Sequence, residues 1–176
     1  MINEHKYVVS IPTTDGTFTA TYSESGLCGL DFPGRTKTQG SAKLPEKVAR
    51  WHRLTATALK TALQGGLSDE LPPLDLSAGS KFQQSVWQAM RRIPSGKTLS
   101  YAAVARAIGS PKAVRAVGGA CGANPIPVLV PCHRVVASNG LGGFGGGLDW
   151  KRRLLAREGT ELDFGPSQPM VRRLSK

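Results

Sequence analysis

Between Asn124 and Gly147 the chain sets three prolines, Pro125, Pro127 and Pro131, ahead of a cysteine, and then places six glycines among the eight residues from Gly140 to Gly147. Proline fixes φ and removes a backbone donor, and glycine brings no side chain to pack, so this stretch reads as loop and turn. At its centre Cys132 is followed directly by His133 and Arg134. A thiol is a weak nucleophile until it is ionised, so a basic neighbour matters, and here there are two. Adjacent residues point apart in a strand and do not face each other on a helix. His133 can therefore act as base for Cys132 only through a turn or a bridging water, with a third residue fixing the imidazole. Asp149 and Glu158 are the nearest downstream acids for that task.

Charge divides the chain unevenly. Residues 1–77 hold eight Lys/Arg and eight Asp/Glu, whereas residues 78–176 hold fifteen and four, so the whole net charge of +11 falls in the second part. A basic unit joined to a neutral one is the footprint of a polyanion binder, with nucleic acid the usual partner. At 176 residues and 40% hydrophobic content the chain can bury one large core or two small ones. Cys28, Cys121 and Cys132 form no CxxC pair, and His5, His52 and His133 are scattered, so neither a disulfide framework nor a metal site is predicted. No apolar run of signal-peptide or membrane-spanning length occurs, which points to an intracellular, cytoplasmic protein.

The fold class expected is α+β in two domains, with a boundary near residue 77. Lys6 to Ile11, Thr17 to Tyr22 and Gly26 to Phe32 read as three strands of an antiparallel meander. A helix opened by Pro45 and closed by Gly65-Gly66 follows, with Val48, Trp51, Thr55, Ala58, Leu59 and Ala62 on one face. Residues 67–80 form a linker in which Leu74 to Leu76 is a brief extended piece.

The second part reads as helical. Phe82, Val86, Met90 and Ile93 recur at helical spacing, and Ser100 caps a short helix carrying Tyr101, Val104, Ala105 and Ile108. After Gly109, Ser110 as N-cap and Pro111 as first residue open a helix to about Ala123, completing the outline of a helix-turn-helix. Lys151 to Glu158 is a last helix with Leu154 and Leu155 inward and Lys151, Arg152, Arg153 and Arg157 outward. The tail to Lys176, with its basic end, is expected to be loosely held and to add phosphate contacts.

Pro131-Cys132-His133-Arg134-Val135-Val136, with Asn124-Pro125-Ile126-Pro127 before it and Gly146-Gly147-Leu148 after it, resembles the active-site signature of the O6-alkylguanine-DNA alkyltransferases. The resemblance runs from about Phe82 to Glu158. It implies an RNase H-like antiparallel sheet in a structural N-terminal domain and a winged-helix-like C-terminal domain. It also implies transfer of an alkyl group from O6-alkylguanine, and O4-alkylthymine, in duplex DNA to Cys132, by a monomer with no cofactor that acts once.

Residue by residue, the resemblance makes Cys132 the acceptor and Glu158 the acid of a Glu–His–water–Cys relay through His133. Tyr101 would donate to guanine N3. Arg115 would fill the gap left by the turned-out nucleotide, where the residues alone permit an ordinary phosphate contact. Lys112, Ser110, Ala116 and Gly119 would lie along the DNA. Asn124 would steady a turn, and Pro127, Val135, Phe144 and Gly145 would shape the pocket, with the carbonyls of Cys132 and Val135 accepting from the guanine amino group. Phe144 stands where the family often has tyrosine, and the glycines around it predict a roomy or mobile wall. A lesion-binding module, a redox-sensing winged-helix regulator and a cysteine hydrolase are the competing readings, and irreversible stoichiometric transfer separates the first reading from all three.

Overall fold

The computed structural model describes residues 6–35 and 44–161. His5 and most of the tail expected to touch phosphate lie outside them. Strands β1 (Tyr7–Thr13), β2 (Gly16–Tyr22) and β3 (Leu27–Asp31) form an antiparallel sheet in the order β1-β2-β3. Ile11 pairs with Phe18 and Ala20 with Leu30, and these residues are buried together with Tyr22. The period-two pattern of β2 thus supplies one apolar face. The extended piece anticipated at Leu74 is a single parallel bridge to Leu27.

Helix α1 (Glu46–Leu63) follows Pro45 and buries Val48, Trp51, Thr55, Ala58, Leu59 and Leu63. Gly65 ends it at φ +81°, a conformation that favours glycine. Helix α2 (Lys81–Arg91) opens on a capping box in which Ser80 and Gln83 satisfy each other's backbone N–H, and it buries Val86, Trp87 and Met90. Next come β4 (Leu99–Ser100) and α3 (Tyr101–Ala107), with the Ser100 hydroxyl accepting from the Ala103 N–H at 3.1 Å.

Helix α4 (Val114–Gly122) begins later than the sequence predicts. Ser110 does not cap it. The Ala113 N–H donates to the Ser110 carbonyl at 2.9 Å, closing a turn over Pro111 and Lys112, and Ala113 takes the N-cap position with no side-chain cap. Proline's fixed φ suits the second position of such a turn as well as a first helical turn, and here the turn prevails. Strand β5 (Val135–Val136) pairs in parallel with β4, so the segment after Cys132 is tied to the start of α3 and hence to Tyr101.

Helix α5 (Leu148–Arg157) ends at Glu158. One buried cluster runs from Ile11 and Phe18 in the sheet through Met90 and Val117 to Ile126, Cys132 and Leu154. The Leu30 N–H donates to the Pro125 carbonyl at 2.8 Å, so the end of the sheet is fastened to the proline loop.

Candidate active site around Cys132

Cys132, His133 and Arg134 form a single 3-10 turn (Cys132–Arg134) between Pro131 and β5. Ahead of it the proline loop is held by one side chain. Asn124 Nδ2 donates to the Val130 carbonyl at 2.7 Å and lies 3.1 Å from the Cys132 sulfur, while its Oδ1 accepts from the Ile126 N–H at 3.1 Å. That loop contains Val128 at φ +74°, a conformation a β-branched residue rarely adopts. The strain is sustained by the surrounding bonds, including Val130 N–H to the Ile126 carbonyl at 2.9 Å.

His133 Nε2 lies 2.7 Å from Glu158 Oε1. Of the two acids the residues alone left open, Asp149 stands in solvent, its side chain 95% exposed and paired with Arg152. Arg134, read as a second basic neighbour of the thiol, closes on Glu158 as well. Its Nη2 lies 2.9 Å from Oε1, its Nε 3.0 Å from Oε2, and its Nη1 donates to the Ile93 carbonyl at 2.6 Å.

Burial alone would raise the Glu158 carboxyl, but the bonds and charges of His133 and Arg134 outweigh it and hold the group down at about 2. An ionised carboxylate only accepts, so the proton on His133 sits on Nε2 and Nδ1 carries the lone pair. Burial also lowers the His133 pKa, which keeps the ring neutral, and Nδ1 is buried without a hydrogen bond from the protein. The imidazole is therefore a base in waiting, its free nitrogen Nδ1 on the side of the ring away from the carboxylate.

Lys151 overturns the sequence reading. It was expected to point outward with its arginine neighbours, yet it is 0% exposed, and its Nζ donates to the Val135 carbonyl at 2.7 Å and the Gly143 carbonyl at 3.0 Å. The two carbonyls come from β5 and from the glycine loop, and a long side chain from α5 satisfies both. Burial lowers the lysine to about 8, and negative charge on the nearby Cys132 or Cys121 sulfur acts to raise it. Burial likewise pushes the Cys132 thiol up, with the Asn124 bond and the Lys151 charge opposing.

The sulfur lies on a cavity of about 130 Å³ whose wall includes Asn124, Pro127, Phe144 and Gly145. Gly146 is closed down on the rings of Phe32 and Phe144, whereas a Cβ at Gly143 or Gly147 would meet nothing within 4 Å. Phe32, directly after β3, belongs to the same wall, so the N-terminal sheet contributes a ring to the cavity. Val135 is fully buried and its carbonyl is engaged by Lys151. Tyr101 lies half-buried beneath the loop, and a Cβ added at Gly142 would sit 2.7 Å from its hydroxyl. Burial raises its phenol, which stays protonated and able to donate.

Lys112, Arg115, Ala116 and Gly119 are exposed along α4 and the turn before it, with Ser110 partly so. Gly118 packs towards the Tyr101 ring, whereas a Cβ at Gly119 would meet nothing within 4 Å. Among the described residues, no three His, Cys, Asp or Glu side chains converge as metal ligands, and no helix is long and apolar enough to cross a membrane.

Residues 81–160 match the sequence family described as 6-O-methylguanine DNA methyltransferase, DNA binding domain. A methylated-DNA–protein-cysteine methyltransferase of Methanosarcina acetivorans is 47% identical over 136 residues, covering 75% of this chain and 86% of that protein. The chain belongs to the methylated-DNA–protein-cysteine methyltransferase family. The match to the bifunctional transcriptional activator/DNA repair enzyme Ada of Escherichia coli is 55% over 87 residues, which is 49% of this chain and 24% of Ada. Two further curated relatives are matched over 61% and 52% of their length, so the chain spans little more than half of several relatives.

Among solved structures, Mycobacterium tuberculosis OGT in complex with DNA aligns at 37% identity with a TM-score of 0.66, covering 88% of this chain and 92% of that one. The likeness extends beyond the matched DNA-binding domain, because it covers 88% of the chain whereas that domain is residues 81–160. Sequence reasoning within this family missed Lys151 and Phe32. The first was hidden in a basic run, and the second carried no signal beyond a strand end.

Proposed function

We propose that the protein repairs alkylated DNA by moving the alkyl group from guanine O6 to the sulfur of Cys132, once per molecule. The observation that carries this reading is the buried thiol on a small cavity, bonded to Asn124 and next to a His133 whose Nε2 is held by ionised Glu158. In its resting state the thiol is protonated, since burial dominates. His133 Nδ1 takes the proton through a bridging water, and the Lys151 ammonium favours the sulfur anion left behind.

The thiolate attacks the alkyl carbon in line. A carbon–sulfur bond forms, the carbon–oxygen bond breaks, and its electron pair stays on the base. Tyr101 gives a proton to guanine N3 as that negative charge develops, and the phenolate recovers one through water from His133, which holds the proton taken from the thiol. The thioether has no carbonyl for water to attack, so Cys132 is not regenerated.

A base inside a duplex is beyond the reach of a buried thiol, so the nucleotide must be turned out, at a cost of a few kcal/mol. In this reading residues 78–176 form the DNA-binding and transfer domain and residues 1–77 the N-terminal domain. Helices α3 and α4 act as a helix-turn-helix, with Arg115 filling the vacated stack and Lys112, Ser110, Ala116 and Gly119 along the backbone. The DNA complex of the mycobacterial relative supports a DNA partner. O6-alkylguanine is the principal substrate and O4-alkylthymine a second one.

Titrating a fixed amount of O6-methylguanine duplex with protein tests the proposal. Conversion to guanine should rise linearly and stop at one lesion per chain. Conversion that continues past one equivalent would overturn it.

A further inference from the structure

Phe32 reaches the cavity of Cys132 from the N-terminal sheet, directly after β3. Its ring is 4% exposed and belongs to an interlocked set, with centroids 5.4 Å from Phe18, 4.9 Å from Trp150 and 5.7 Å from Phe144. Phe144 in turn sets its ring at 86° to the His133 imidazole, 6.4 Å away. The cluster thus runs from the sheet, through the glycine loop, to the base of the relay.

The glycine loop rests directly on it. A Cβ at Gly146 would come 2.7 Å from both Phe32 Cε2 and Phe144 Cε1, so backbone and rings are already in contact. Aromatic rings have few torsions to relax, and ring pairs add about 0.5–1.5 kcal/mol beyond their burial, so this wall resists displacement despite the glycines around it. The cavity it bounds is about 130 Å³. Pockets for drug-sized ligands run to roughly 300–1,000 Å³, which leaves this one suited to a small group beside the sulfur.

We propose that Phe32, backed by Phe18 and Trp150 and pressed against Phe144, is a specificity-determining residue that limits the size of the alkyl group Cys132 accepts. Methyl groups fit the space as it stands, and aryl-bearing groups such as benzyl collide with the ring wall. The N-terminal domain thereby selects the substrate for chemistry performed in the other half of the chain. This inference rests on the alkyl-transfer reading above.

The test is single-turnover transfer from duplexes carrying O6-methylguanine or O6-benzylguanine, measured for the wild type, Phe32→Leu and Phe32→Ala, with thermal unfolding of each variant. One methylene in an apolar pocket changes discrimination by roughly tenfold or more, so both folded variants should raise the benzyl-to-methyl rate ratio at least that far. If Phe32→Ala does not fold, Phe32→Leu alone carries the comparison. An unchanged ratio in a folded variant, or a wild type that already transfers benzyl as fast as methyl, would overturn the role of Phe32. A wild type that transfers no methyl group would instead sink the alkyl-transfer reading itself.

Discussion

Glu158 holds two basic side chains at once: its Oε1 lies 2.7 Å from Nε2 of the neutral His133 and 2.9 Å from Arg134 Nη2, and its side chain is almost wholly withdrawn from solvent. The pair with Arg134 neutralises the charge that the pair with His133 would otherwise leave buried. The same carboxylate therefore fixes the tautomer of the base and anchors the turn that carries the thiol.

Replacing that carboxylate should be costly at neutral pH. Glu158→Gln leaves Arg134 buried with no anion, and breaking such a pair costs about 3–5 kcal/mol. The acid limb gives the sign. Glu158 is held at about 2 against an ordinary 4.5, so its contribution is present above 4.5 and is lost as pH falls towards 2. His133, lowered by burial, adds to the loss below its ordinary 6.5. Urea unfolding from pH 7 to pH 3 should show a steep decline for the wild type and a shallower one for Glu158→Gln; parallel curves would contradict the pairing.

Lys151 places a buried positive charge within electrostatic range of the thiol. The groups around Cys132 also include Cys121, Tyr101, His133 and, behind it, Arg134 and Glu158. Lys151→Met removes the charge and keeps most of the bulk. The thiol pKa should rise, and alkylation by iodoacetamide below that pKa should slow severalfold. A pH–rate profile that coincides with the wild type would reduce Lys151 to a tether between Val135 and Gly143.

On the DNA side, Lys112 and Arg115 should fail differently. Lys112→Ala should weaken binding to any duplex and reduce the slope of log affinity against log salt by about 0.9. Arg115→Ala should slow transfer from a duplex by roughly tenfold or more, and much less from a single strand, where no stack needs refilling. Equal losses on both substrates would make Arg115 an ordinary phosphate contact.

What the sequence disclosed depended on how local the cause was. The three strands, the α1 face and the Ser100 cap follow from patterns of a few residues, and each is present. Ser110-Pro111 carries the same signal for a turn as for a helix start, and the turn closed by Ala113 could not be told apart from it. Lys151 sits in a basic run that reads as solvated, because the Val135 and Gly143 carbonyls that receive it lie in short segments earlier in the chain that carry no periodic signal. The two-residue strands β4 and β5 are too short to show a period. Phe32 reached the cavity only through tertiary packing of the sheet against the proline loop.

The most direct test of the central claim is the intact mass of the protein after incubation with an O6-methylguanine duplex, for the wild type and for Cys132→Ala. Transfer to Cys132 predicts a gain of one methylene mass in the wild type, reaching one per chain and surviving removal of the DNA, with none in the variant. A wild type that binds the lesion and gains no mass, or a gain that persists in Cys132→Ala, would contradict it.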